Sequence, residues 1–70
     1  MVKLILDVYL NKRKISRYKL SKDGNIAYPT VDDYYKNNVV RYDSDVLDRI
    51  CKALNCDISD IMIFENDADK

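Results

Sequence analysis

SRYKLSKDGNIAYPTVDDYYK, residues Ser16 to Lys36, carries two short helical patterns separated by a turn. Ser16 is a natural N-cap, because its hydroxyl can accept a hydrogen bond from a free amide of the first helical turn. Leu20 supplies the apolar anchor, with Arg17, Lys19 and Lys22 facing water. Asp23, Gly24 and Asn25 stop that helix, since Gly and Asn tolerate the left-handed backbone of a helix C-terminus. Pro29 suits the opening turn of a second helix, where its missing amide costs nothing. Ile26, Val31 and Tyr34 form the inner stripe of this second helix, and Tyr28, Thr30, Asp33 and Lys36 look outward. Two short helices joined by a turn of about three or four residues containing Gly make a helix-turn-helix unit. That unit, spanning about 16–36, decides the fold.

The flanking segments read as its supports. Val2 to Leu6 is a short apolar run compatible with a brief strand. Asp7 is placed to cap a first helix over about Val8 to Lys14, although Leu6 can equally belong to it. Lys12, Arg13 and Lys14 enrich its C-terminal end, as the helix dipole favours. Ile15 drops into the core before Ser16. Beyond the central unit, Asn37 and Asn38 end the second helix, and Asp43 is the next N-cap candidate. Val46, Leu47, Ile50, Cys51 and Leu54 repeat at three- and four-residue spacing, with Asp45, Asp48, Arg49 and Lys52 opposite. Asn55 ends this helix. Asp57 and Asp60 resemble a capping box opening a short last helix, with Ile58, Ile61 and Met62 inward. If Val2–Ile5 is a strand, Met62–Phe64 is its one plausible partner, because a lone strand cannot satisfy its own backbone. Residues 65–70 read as a frayed acidic tail. The expected core is Leu6, Leu10, Ile15, Leu20, Ile26, Val31, Tyr34, Leu47, Ile50, Cys51, Leu54, Ile58 and Ile61.

A chain of 70 residues makes one domain, residues 1–70, near the lower limit for folding without staples. Its 47% hydrophobic and 34% charged content is that of an ordinary globular chain. No apolar run reaches membrane-spanning length, and MVKLILDVYL lacks the features of a signal peptide, so a cytoplasmic protein is expected. Net charge is zero, which by itself argues against a nucleic-acid binder. Its distribution says more. Residues 1–42 hold nine Lys/Arg against four Asp/Glu, and residues 43–70 hold three against eight. Such polarity can orient a protein on a polyanion; solvated helix faces would produce the same pattern. Cys51 and Cys56 do not form a C-x-x-C motif and there is no His, so metal ligands are lacking and the two thiols read as small buried hydrophobes. No cofactor is implied.

The order Leu10…Ile15-Ser16-Arg17-x-x-Leu20-Ser21-x-x-x-x-Ile26-Ala27-x-x-Thr30-Val31, then Leu47…Ile50-Cys51-x-x-Leu54, resembles the Cro and phage-repressor type of helix-turn-helix regulator, the xenobiotic-response-element family. The closing phrase from Tyr42 to Asp60 is similar to a small stand-alone bacterial subgroup. The resemblance implies an all-α, five-helix, lambda-repressor-like domain with room for a short pairing of the two termini as strands. It also implies binding to double-stranded operator DNA, usually as a homodimer, with helix 2 across the phosphate backbone and helix 3, about 28–35, in the major groove. By position, Arg17 would contact DNA at the start of helix 2. Tyr28, Pro29, Thr30 and Asp33 would occupy the recognition positions, and Lys36, Asn37 and Asn38 would lie where the next loop approaches phosphate. The chain departs from the pattern where Asn25 replaces Gly and Ala27 replaces the Ser N-cap, a loss of about 1 kcal/mol. Asp32 and Asp33 also bring carboxylates to a helix meant for a polyanion.

From the residues themselves, Arg17, Lys19 and Lys22 are phosphate-contact candidates, with a solvated face as the alternative. Thr30 could bond a phosphate or base edge, or its own helical turn. Of the six Tyr, Tyr9, Tyr18 and Tyr34 read as packing residues, and Tyr28, Tyr35 and Tyr42 as candidates to touch DNA or a partner. No catalytic constellation occurs, and a non-enzyme is expected. The reading is therefore a DNA-binding transcriptional regulator. The alternative is a protein-interaction module on a helix-turn-helix scaffold, motivated by the acidic C-terminal half. No second domain is seen to hold a small-molecule effector. Met62, Ile63 and Phe64 are the apolar candidates for a dimer contact.

Overall fold

The computed structural model describes residues 1–66. In chain order it contains β1 (Val2–Leu4), α1 (Leu6–Arg13), α2 (Arg17–Gly24), α3 (Tyr28–Tyr35) and α4 (Ser44–Leu54). A single 3-10 turn (Ile58–Asp60) and β2 (Met62–Phe64) follow. The fold is mostly helical, with a small antiparallel sheet in which Val2 faces Phe64, Lys3 faces Ile63 and Leu4 faces Met62. The expected pairing of the termini is present.

The expected fifth helix is not. Where it was placed, three residues make one 3-10 turn, with the Asp57 amide donating to the Asp60 carboxylate at 3.0 Å. The chain must be extended again by Met62 to give β1 a partner, so no length remains for an α-helix. Ile58 is consequently exposed rather than in the core. The first helix also starts earlier than its Asp7 cap would have it: Leu6 is its first residue and no side chain caps it. Asp7 instead lies in the first turn, where its charge favours the helix dipole.

Each α-helix ends in the same way. Lys14, Asn25, Asn37 and Asn55 all have φ between 53° and 59°. After each, the next amide reaches back to the carbonyl five residues earlier: Ile15 to Leu10, Ile26 to Ser21, Asn38 to Asp33 and Cys56 to Cys51, at 2.9–3.0 Å. These are Schellman turns, which satisfy carbonyls that the helix end would otherwise leave open. They are built without glycine. The one glycine, Gly24, is helical and buried for a different reason. A Cβ there would stand 2.9 Å from Ile26 Cδ1 and 3.2 Å from its Cγ1, so the lack of a side chain makes room for Ile26 to enter the core.

The core consists of Leu4, Leu6, Leu10, Leu20, Ile26, Val31, Tyr34, Ile50, Leu54 and Ile61. Ile15, Leu47 and Cys51, expected inside, pack against it half-buried. Leu4 is an addition, placed by the inward face of β1. Tyr34 is buried, and its hydroxyl accepts from the Asp43 amide at 2.9 Å, which ties the end of α3 to the start of α4. Asp43 in turn caps α4 by accepting from the Asp45 amide. Cys51 and Cys56 are free and half-buried across the terminal turn of α4. Burial pushes both thiols up, Cys56 to about 11, so they remain protonated and act as small apolar groups. Glu65 is not frayed: its amide donates to the Met1 carbonyl and its carboxylate pairs with Lys3 at 3.2 Å. Residues 67–70 of the expected acidic tail lie outside the described residues.

Two positions carry local strain or a missing bond that a substitution can remove. Lys14 holds φ 58° with a full side chain, and Ala27 begins α3 with no side-chain cap. Lys14→Gly is expected to raise the unfolding free energy by about 1 kcal/mol by relieving the left-handed backbone. Ala27→Ser is expected to add about 1 kcal/mol by giving a first-turn amide of α3 a partner. Urea unfolding of each variant checks both, as midpoint shifts at unchanged slope.

Candidate nucleic-acid interface

The exposed face of α3 follows from its buried stripe. Val31 and Tyr34 point inward, which turns Tyr28, Pro29, Asp33 and Lys36 to solvent and leaves Thr30 half-buried. Asn25, Ile26 and Ala27 connect α2 to α3, and Asn25 itself takes the left-handed position, so the missing glycine does not displace the turn. Arg49 of α4 holds the turn from behind. Its Nη1 donates to the Asn25 carbonyl at 3.2 Å while its Nε pairs with Asp45 at 3.0 Å. A cation at that point also suits the negative end of α2. The opening of α3, at Ala27 and Tyr28, is exposed and has no acidic residue in its first turn. Such a helix start is favourable for an anion.

The cations of α2 are less free than sequence alone implies. Arg17 Nη1 lies 2.6 Å from Asp32 Oδ1, and the other oxygen of Asp32 accepts Lys36 Nζ at 3.1 Å. The Arg17 guanidinium is also stacked 4.5 Å over the ring of Tyr35. Lys19 pairs with Asp23 one turn along at 3.0 Å. Lys22 has no acidic partner among the described residues; its ammonium stands 5.5 Å over the ring of Tyr18. Ser16 caps α2 as expected, accepting from the Lys19 amide at 3.0 Å.

The remaining candidate residues divide. Lys36 and Asn38 are exposed at the end of α3. The Asn37 side chain is already used, since its Oδ1 accepts from the Leu4 amide at 3.1 Å and so attaches β1 to the end of α3. Asp33 is exposed and enters no ion pair among the described residues, whereas Asp32 is neutralised from two sides. The two neighbouring carboxylates therefore differ in kind. Tyr18, expected to pack, is 62% exposed on α2. Tyr35 and Tyr42, candidates to touch DNA or a partner, are half-buried: Tyr35 lies under Arg17, and Tyr42 meets Tyr34 edge-on at 6.4 Å. The exposure of Tyr18 follows from helix phase, because Leu20 and Gly24 take the inward face of α2 and leave Tyr18 opposite them.

Two residues of the connection to α4 were not anticipated. Val40 is 94% exposed, and Arg41 beside it is exposed and enters no ion pair among the described residues. The signal was available in the sequence as a basic residue following the Asn37–Asn38 helix end. No group of three or more His, Cys, Asp or Glu able to hold a metal gathers among the described residues, and none of their helices is long and apolar enough to cross a membrane.

Residues 5–67 match the family model of the Cro/C1-type HTH DNA-binding domain. Neither the curated proteins nor the solved structures compared with the chain gave a match.

Asp32 offers a direct check of the geometry. Its hydrogen bond from Lys36 is the largest influence on its carboxyl; with the nearby charges of Lys36 and Arg17 it outweighs partial burial and holds the group below its ordinary value of 3.8. A carboxyl lowered by folding adds stability that is present above its unfolded pKa and is lost as pH falls through its folded pKa. A carbon-detected NMR titration is expected to place the Asp32 midpoint below 3.8. Neutralising Lys36 by Lys36→Met should move that midpoint upward.

Proposed function

The chain belongs to the Cro/C1-type helix-turn-helix DNA-binding family, and we propose that it is a sequence-specific transcriptional regulator whose α3 reads the major groove of double-stranded DNA. The observation that supports this best is the way α3 is offered. Val31 and Tyr34 lock it to the core, and Tyr28, Pro29, Thr30 and Asp33 form the outer edge. Arg17 and Lys36 lie along one flank and Lys22 on α2. A helix of this size fits a major groove, and cations on its flanks meet the phosphates that fix its register.

Within this reading the roles separate by chemistry. Lys22, Arg17, Lys36 and Asn38 take phosphate, as does Lys19 when it leaves Asp23. Tyr28 and Thr30 meet base edges or thymine methyls, and Asp33 accepts from cytosine N4, a base-edge donor that suits a carboxylate. Asn37 contributes by shaping the end of α3 rather than by direct contact. The protein acts as a homodimer on paired half-sites about one helical turn apart, with the exposed Phe64 and its cross-strand neighbour Val2 available to the second copy. Its place of action is the cytoplasm, where the DNA is.

The test is titration of labelled protein with random-sequence duplex at low and moderate salt, followed by anisotropy measurements. Backbone shifts are expected at 16–22 and 27–38 and should fade with salt. Lys22→Gln should lower affinity and reduce the magnitude of the log affinity against log salt slope by about 0.9, the value for one lost phosphate contact. Tyr28→Ala should leave that slope unchanged and alter the sequence selected from a duplex pool. Absence of shifts at low salt would replace this reading with that of a protein-interaction module.

A further inference from the structure

We propose that Asp32, through its hold on Arg17 and Lys36, limits how strongly the α3 face takes DNA irrespective of sequence. This rests on the DNA-binding reading above and adds a regulating residue to that face. Among the described residues, no other carboxylate pairs with two cations. Asp32 Oδ1 takes Arg17 at 2.6 Å and Oδ2 takes Lys36 at 3.1 Å, so both oxygens are committed. Arg17 belongs to α2 and Lys36 follows α3, which makes the carboxylate a bridge between the element lying across the backbone and the helix in the groove.

The trio presents a charge of +1 where its two cations alone would present +2. Binding to DNA irrespective of sequence grows with the number of phosphates neutralised, because each releases counterions. A carboxylate at this point therefore removes one unit from the term that cannot distinguish sequences. It leaves intact the contacts of Tyr28, Thr30 and Asp33, which can. Its grip is reversible. The Asp32 side chain is 24% exposed, and ion pairs near the surface are weak enough to be exchanged for phosphate. Tyr35 keeps the Arg17 guanidinium stacked at 4.5 Å, so on release the group has a defined position from which to meet a phosphate. Asp32 is thus a positioning residue, acting through Arg17 and Lys36 and touching no base.

The experiment compares the unaltered protein with Asp32→Asn and Asp32→Glu on a random-sequence duplex across a salt series, with circular dichroism reporting the fold. Asp32→Asn should bind several-fold more tightly at low salt, with a slope steeper by about 0.9. Asp32→Glu, which restores a carboxylate, should bind close to the unaltered protein. A folded Asp32→Asn with equal or weaker affinity and an unchanged slope overturns the proposal while leaving the DNA-binding reading in place. If neither the unaltered protein nor the variant binds at low salt, the DNA-binding reading fails and this one with it. Should Asp32→Asn not fold, the carboxyl carbon of Asp32 in the unaltered protein decides. A shift on adding DNA that reverses with salt supports the exchange, and a resonance that does not move overturns it.

Discussion

Everything in this small fold depends on ending four short helices abruptly and in the right direction. The α-helices are 8 to 11 residues long, below the length at which an isolated helix is stable in water. They persist by packing, and they can pack only if the chain turns sharply between them. The left-handed residues Lys14, Asn25, Asn37 and Asn55 provide those turns. Three of them also place the residue that follows: Ile15, Ile26 and Cys56 are delivered toward the core by the same hydrogen bond that closes the helix. Glycine would make such turns at less cost. Here Asn, whose short amide tolerates the conformation better than most side chains, stands in three times, and the glycine leaves room for the Ile26 side chain.

The surface that α3 presents is a consequence of the same packing. Once Val31 and Tyr34 are inside, no freedom remains about which residues face out. The electrostatics of that surface are another matter, because they depend on partners brought from elsewhere in the chain. Arg17 and Asp32 are fifteen residues apart and meet only when α2 and α3 are folded against each other. Asp45 with Arg49 and Asp48 with Lys52, in contrast, lie one turn apart on α4 and cancel locally. Exposed pairs of that kind contribute little to stability, yet they remove two cations and two carboxylates from the long-range field.

Much of this was legible in advance, and the division is physical. The Ser16 cap, the Asn25 and Asn55 ends, the Asp43 cap and the apolar stripe of α4 are short-range devices with one mechanism each, and they occur where the residues place them. The pairing of residues 2–4 with 62–64 was also readable, since backbone amides must find partners. What escaped was settled by contacts between distant segments. Ile58 could not be known to face water until the chain was seen straightening into β2. Tyr18 faces water because small changes of phase on an eight-residue helix move a side chain from core to surface. The Asn37 amide was spent on Leu4, a contact 33 residues away in sequence. At the candidate interface, residue types and their helix faces were readable; which cations were already held was not.

A net charge of zero therefore carries less weight against DNA binding than its first impression. Net charge sums over the whole molecule, whereas phosphate responds to what lies within about a Debye length, roughly 10 Å at moderate salt. In this chain carboxylates of α4 are matched by cations of α4, and Glu65 by Lys3, so those charges largely cancel where they stand. The cations without an acidic partner among the described residues include Lys22 on α2 and Arg41 just beyond α3. Arg17 and Lys36 share a single carboxylate between them. The α2–α3 side is thus positive by a small margin. On the proposed reading a small margin has its own consequence: the electrostatic part of binding is modest, and discrimination falls to the few side chains on the outer edge of α3. Selectivity is a difference of affinities, and weakening the part common to all sequences serves it as well as strengthening the part specific to one.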